Sequence, residues 1–102
     1  MGTLSVAVIT RNEAPVIRRC LASVDWADEL IVVDSGSTDG TVEACRAFTS
    51  NVFVRAFDTF DGQKNFAFAQ ARADWILSID ADERVSPALA AEITEVIVRY
   101  LT

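Results

Sequence analysis

The sequence predicts an α/β protein: a mostly parallel four-stranded sheet between helices on both faces, in three layers. Two observations carry that expectation. Short apolar runs alternate four times with segments of helical periodicity, and each run ends in a polar loop. Strands that alternate with helices pair in parallel, because each crossover lays its helix on a face of the sheet. With 51% of its 102 residues hydrophobic, the chain has enough apolar surface for one packed core. No repeat, linker or low-complexity stretch divides it, so residues 1–102 read as a single domain.

The first strand runs from Leu4 to Ile9. Asn12-Glu13-Ala14-Pro15 then opens a helix, with Pro15 suited to its first turn, and Val16, Ile17, Cys20, Leu21 and Val24 follow at helical spacing. Glu29 to Val33 is the second strand, closed by Asp34 and the turn residues that follow. A helix from about Thr41 to Phe48 buries Val42, Cys45 and Phe48. Val52 to Val54 is a short third strand. Asp61-Gly62 reads as a turn and cap before a helix from about Gln63 to Ala71. Trp75 to Ile79 is the fourth strand, read as buried. Ser86-Pro87 caps a last helix with Leu89, Ile93, Val96 and Ile97 on one stripe, and Tyr100 and Leu101 extend the apolar surface that a monomer is expected to leave wet.

Composition removes several classes of function. The net charge is −6, from 9 basic and 15 acidic residues, and such a surface repels nucleic acid. No apolar run approaches the length needed to span a bilayer, and the opening residues lack a secretory leader pattern. Cys20 and Cys45 fit no metal or redox spacing and read as small core residues, which suits a reduced cytoplasmic protein. Histidine is absent, so a metal would be held by oxygen and a proton would move through a carboxylate.

Ligands of open parallel sheets bind beyond the carboxyl ends of the strands. Strand one ends in Thr10-Arg11-Asn12-Glu13, where Asn12 serves equally as a helix cap or as a ligand contact. Strand two ends in Asp34-Ser35-Gly36-Ser37-Thr38-Asp39-Gly40-Thr41. A turn and helix cap explain Ser37 to Thr41, but not Asp34. A carboxylate directly behind Ile31-Val32-Val33 needs a donor, such as a base N–H or a ribose hydroxyl. Strand four ends in Asp80-Ala81-Asp82-Glu83. Nine aspartates in this length give about one D-x-D by chance, so the placement carries the weight. Aspartates at alternate positions past a strand can converge on a hard cation, Mg²⁺ or Mn²⁺. Lys64, in Gln63-Lys64-Asn65, is either a solvated lysine or part of an anion site at a helix start. Three carboxylate-bearing loops thus meet one sheet edge that has no glycine-rich phosphate loop. A diphosphate held there needs a metal to neutralise it.

These motifs, in this order and spacing, resemble family 2 glycosyltransferases of the GT-A fold along essentially the whole chain. The stretch from Cys20 to Ile31, with Gln63-Lys64-Asn65-Phe66-Ala67, resembles the bacterial lipopolysaccharide-core glucosyltransferase branch. The resemblance implies the Rossmann-like, nucleotide-sugar-binding half of that fold. It implies that Asp34 and the turn Thr10, Arg11, Asn12, Glu13 hold the nucleoside, and that Lys64 lies near the base or diphosphate. Asp80 would contact the ribose or the metal, Asp82 would ligate the metal, and Ala81 between them would line the donor site. Ser35 stands where many relatives carry a second aspartate; it can hydrogen-bond the base but brings no charge.

The implied partner is a nucleotide-diphosphate sugar, a UDP-sugar first among them, with a glycan or lipid-linked acceptor in the full-length enzyme. Location is expected in the cytoplasm or at the inner membrane face. Family members run on through further strands that bind the acceptor and supply a carboxylate base. The chain is therefore expected to be the donor half alone, without the catalytic base, and to form a homo-oligomer through its uncovered edge and last helix. Two other classes stay in view. One is a non-catalytic binding or assembly module derived from the same family. The other is a receiver-like phospho-acceptor domain, which would carry an acidic pair where this chain has Thr10-Arg11-Asn12.

Overall fold

The computed structural model describes residues 2–101, with side chains described as far as Ile97. In chain order its elements are β1 (Leu4–Thr10), α1 (Ile17–Ala22), β2 (Glu29–Asp34), α2 (Thr41–Arg46), β3 (Val52–Val54), α3 (Phe60–Gln70), β4 (Trp75–Asp80) and α4 (Pro87–Leu101). The strands form one sheet in the order β3-β2-β1-β4, and every pairing is parallel. The expected α/β sheet is therefore present, and it is parallel throughout.

Strand alternation divides the core between two faces. On one face Leu4, Val6 and Val8 of β1 and Leu30 and Val32 of β2 pack against Ile17, Cys20 and Leu21 of α1, Ala44 and Cys45 of α2, and Ile97 of α4. On the other face Ala7, Ile31 and Val33 meet Ala67 of α3, with Phe53 and Phe66 at its margin. β1 and β2 are apolar on both faces because helices cover both. That explains why they read as unbroken apolar runs rather than alternating ones.

Several boundaries differ from the sequence reading, each for a local reason. α1 begins only at Ile17. Asn12 takes a left-handed backbone conformation (φ 53°) and caps nothing in α1; the Glu13 carbonyl accepts from Val16 N and Ile17 N instead. α2 is shorter than expected, with Val42 and Phe48 half-buried rather than buried. α3 starts at Phe60, not Gln63, because Thr59 rather than Asp61 is its cap: Thr59 Oγ1 accepts from Gly62 N at 2.9 Å.

The largest difference is β4, which is an edge strand and half-exposed. Leu77 and Ile79 join the core beside α1 and α4, but Ile76 (43% exposed), Ser78 and Asp80 alternate on the other face, where α3 covers β1 and β2. On α4, Ile97 is buried and Ile93 half-buried, whereas Leu89 and Val96 are exposed. The expected contributions of Tyr100 and Leu101 to that stripe lie outside the described side chains.

Candidate functional site

The carboxyl ends of β1 and β2 are tied into one shelf. In register, Thr10 lies opposite Asp34, and both belong to the face covered by α1 and α2. Asp34 is fully buried. Its Oδ1 accepts from Thr10 Oγ1 at 2.7 Å and Ser37 Oγ at 2.5 Å, and its Oδ2 accepts from Gly36 N at 2.9 Å and Ser37 N at 2.7 Å. Burial pushes the carboxyl up, but the bonds from Ser37, Thr10 and Gly36 outweigh it and hold Asp34 below the usual carboxylate value of 3.8. A carboxylate offers about four acceptor positions, and here the protein fills them all. The donor that Asp34 was expected to find in a nucleoside is supplied from within. Gly36, at φ 97°, makes the turn that brings two successive N–H groups onto one oxygen.

The same lacing continues outward. Asn12 N donates to Ser37 Oγ at 2.8 Å, while Thr38 N donates to Asn12 Oδ1 at 2.9 Å. Glu13 N donates to Thr41 Oγ1 at 2.9 Å, and Ala14 N donates to Asp39 Oδ2 at 3.3 Å. Asp39 Oδ1 accepts from both the amide and the hydroxyl of Thr41. The Thr41 hydroxyl, ahead of its amide, holds the exposed Asp39 carboxyl below its ordinary value. Asn12 is therefore a clamp between two loops rather than a helix cap. On this loop Arg11 and Asn12 are exposed and Glu13 is half-buried.

α3 closes the other side. It runs back against the strand direction, so its first turns stand at the carboxyl edge. Gln63, fully buried, donates to Ser35 Oγ at 3.0 Å and joins α3 to the end of β2. Lys64 is half-buried and lies one turn inside the helix rather than at its opening. Sequence reasoning assigned no site role to Gln63, and only turn and cap roles to Ser37, Asp39 and Thr41. The first is a polar residue at an apolar helix position, and the others look like ordinary turn residues.

At the end of β4, Asp80 lies opposite Ile9 and on the α3 face, across the sheet from Asp34. Three carboxylate-bearing loops do share one edge, but Asp34 braces one face while Asp80 stands on the other. The turn after β4 is fixed by Glu83: Asp80 N donates to Glu83 Oε1 at 2.7 Å, and Glu83 N donates to Asp80 O at 2.9 Å. The Ala81 side chain is buried in the core, so it lines no ligand surface. Asp82 is exposed beside Val16, Arg19 and Arg84. Among the described residues no three potential ligands stand together as a metal cage. Asp80 and Asp82 leave the same turn toward different surroundings, Asp80 on the α3 face and Asp82 beside the start of α1. Cys20 and Cys45 are free and buried; burial pushes their thiols up to about 12 and about 11, so both stay protonated. No helix among the described residues is long and apolar enough to cross a membrane.

Comparison with known proteins places this arrangement. Residues 5–100 match the family described as Glycosyl transferase family 2. Over 91 residues the chain is 47% identical to an uncharacterized glycosyltransferase of Rickettsia bellii, covering 88% of this chain and 31% of that one. Over 99 residues it is 33% identical to the lipopolysaccharide core biosynthesis glycosyltransferase LpsC of Rhizobium meliloti, covering 92% of this chain and 37% of that protein. Its fold superposes on glucosyl-3-phosphoglycerate synthase from Mycobacterium tuberculosis, solved with Mn²⁺ and UDP-glucose. The TM-score is 0.66 at 29% identity, over 79% of this chain and 33% of that one. The chain thus spans about a third of the length of the relatives it matches. It belongs to glycosyl transferase family 2 and has the α/β architecture of the GT-A glycosyltransferases.

Proposed function

We propose that the chain is the donor-binding part of a glycosyltransferase, taking a nucleotide-diphosphate sugar, and a UDP-sugar first, together with Mg²⁺ or Mn²⁺. One observation carries this reading: the end of β2, the first turns of α3 and the end of β4 bring Ser35, Lys64 and Asp80 to one sheet edge. The loop after β1, laced to that of β2, forms a rigid wall for the nucleoside, with Arg11 to Glu13 along it. Asp34 acts through this wall rather than by touching the ligand. Lys64 supplies positive charge near the diphosphate. Asp80 and Asp82 would hold the cation, which neutralises the leaving diphosphate when bound. Two relatives support the ligand class proposed: the synthase was solved with Mn²⁺ and UDP-glucose, and LpsC is named for lipopolysaccharide core biosynthesis.

In the whole protein the reaction would be an inverting hexose transfer to a glycan or lipopolysaccharide-type acceptor. A carboxylate base would deprotonate the acceptor hydroxyl. We assign no residue here to that base and place it with the acceptor site, outside these 102 residues.

Calorimetric titration with UDP, with Mn²⁺ and then with EDTA, tests the reading. Binding is expected only with the cation, and Asp82→Ala is expected to remove the cation dependence. Equal binding in EDTA, or an Asp82→Ala variant that titrates like the parent, would sink it.

A further inference from the structure

Arg19 leaves the last turn of α1 and Arg84 the loop between β4 and α4, yet both line one cavity of about 600 Å³. That is the size of a small-molecule site. Its only ionisable lining groups among the described residues are these two guanidiniums, in a chain whose net charge is −6. The acidic residues of the preceding turn are held off it. Glu83 Oε1 accepts from Asp80 N at 2.7 Å, and Asp82 lines a separate hollow of about 160 Å³ that shares the two arginines. Among the described residues neither guanidinium has a hydrogen bond or an ion pair. One such arginine is a solvated side chain, but two on one cavity can share an anion.

The walls of the cavity are fixed. Ser23 Oγ donates to Cys20 O at 2.6 Å and accepts from Val85 N at 2.9 Å, which ties the end of α1 to the loop. The Val85 side chain is buried in the core and anchors the loop from below. Ser86 Oγ accepts from Leu89 N at 3.1 Å, and among the described residues nothing takes its proton. α4 opens at Pro87 on the same rim, so the positive end of a 15-residue helix adds to the field of the arginines.

We propose that this cavity binds the phosphate of a phosphorylated small molecule, with Arg19 and Arg84 on its oxygens and Ser86 donating a third bond. A phosphate monoester carries nearly two charges at neutral pH, and the guanidinium fork matches its oxygens. Val85 and Pro87 offer an apolar wall to the rest of the molecule. A lipid headgroup presents the same chemistry, but a chain of net charge −6 is repelled by an anionic bilayer, which favours the free monoester. The site needs neither the nucleotide nor the cation of the reading above.

The test is calorimetric titration of the 102-residue chain with inorganic phosphate and with glycerol phosphate, in EDTA and at constant ionic strength. Both should bind. Arg19→Gln and Arg84→Gln should each weaken binding by about tenfold, the low end for a bond between charged groups, because both side chains are exposed. Arg84→Lys, which keeps the charge without the fork, should fall between parent and Arg84→Gln. Arg18→Gln, on the same helix but off the cavity, should bind like the parent. All of these variants should keep the parent's urea midpoint, since none removes a contact within the fold. Vesicles of phosphatidylcholine and phosphatidic acid should leave the chain in solution. No heat beyond that of chloride overturns the proposal, and so does an unchanged affinity in both cavity variants, which would put the phosphate elsewhere. An equal loss in Arg18→Gln would reduce the effect to diffuse charge and overturn it too. Capture by the vesicles without binding of either free phosphate would overturn the small-molecule assignment in favour of a headgroup.

Discussion

Asp34 shows how far a residue's chemistry depends on its partners. Four in-chain donors make it a brace, and they also make it a source of pH dependence. Its folded pKa lies below the ordinary 3.8, so its contribution to stability is complete above that value and is lost as pH falls through the folded pKa. The urea midpoint of the parent should therefore drop between pH 5 and pH 2. Asp34→Asn should lose less over that window, because it has no carboxyl to protonate. At pH 7 the same variant should already be destabilised by about 2–4 kcal/mol, since an amide NH₂ must face donors in a buried site. A parent and an Asp34→Asn variant with parallel pH profiles would mean that other groups carry the acid sensitivity. Asp39 and Asp58, also held below their ordinary values, would be the first to examine.

At the scale of elements, α3 matters most, because its first turns carry both Gln63 and Lys64. Its start is set by one hydroxyl, so Thr59→Ala should cost about 1 kcal/mol in urea unfolding. Gly62 supplies a sharper comparison. Alanine in a helix interior ordinarily gains up to about 1 kcal/mol over glycine. Here a Cβ would press on the Asp58 carboxylate, with Oδ2 at 2.8 Å, and that carboxylate pairs with Arg55. Gly62→Ala should therefore give less than that gain, or a loss. A full gain would show that Asp58 moves aside freely and that Arg55 needs no anchor there.

For the whole molecule the unequal cover of the sheet has a consequence in solution. β4 leaves its outer backbone edge unpaired by any described strand, and Ile76, Leu89 and Val96 expose apolar surface beside it. Covering such surface is worth roughly 25 cal/mol per Å². We propose that a second copy covers it, joined through β4 and α4 with two-fold symmetry. Light scattering at micromolar concentration should then give a mass near twice 11.1 kDa, and Ile76→Glu should return it to 11.1 kDa. A parent that scatters as an 11.1 kDa species throughout the micromolar range would contradict this arrangement.

The type and order of every element were legible in the sequence, because periodicity is a local property: apolar runs and helical stripes belong to a few consecutive residues. So was the edge that carries the polar chemistry, since a parallel sheet exposes its strand ends there whatever the details. The tertiary structure alone decided what each polar residue does at that edge. Asp34 meets Thr10 across 24 residues of chain, Asn12 meets Thr38 across 26, and Gln63 meets Ser35 across 28. No local pattern reports whether such distant donors arrive. The exposure of β4 was hidden for the same reason, because its composition matches a buried strand while its place at the sheet edge depends on strand order. Burial and hydrogen-bond satisfaction are properties of pairs of elements, and they exist only once the register is set.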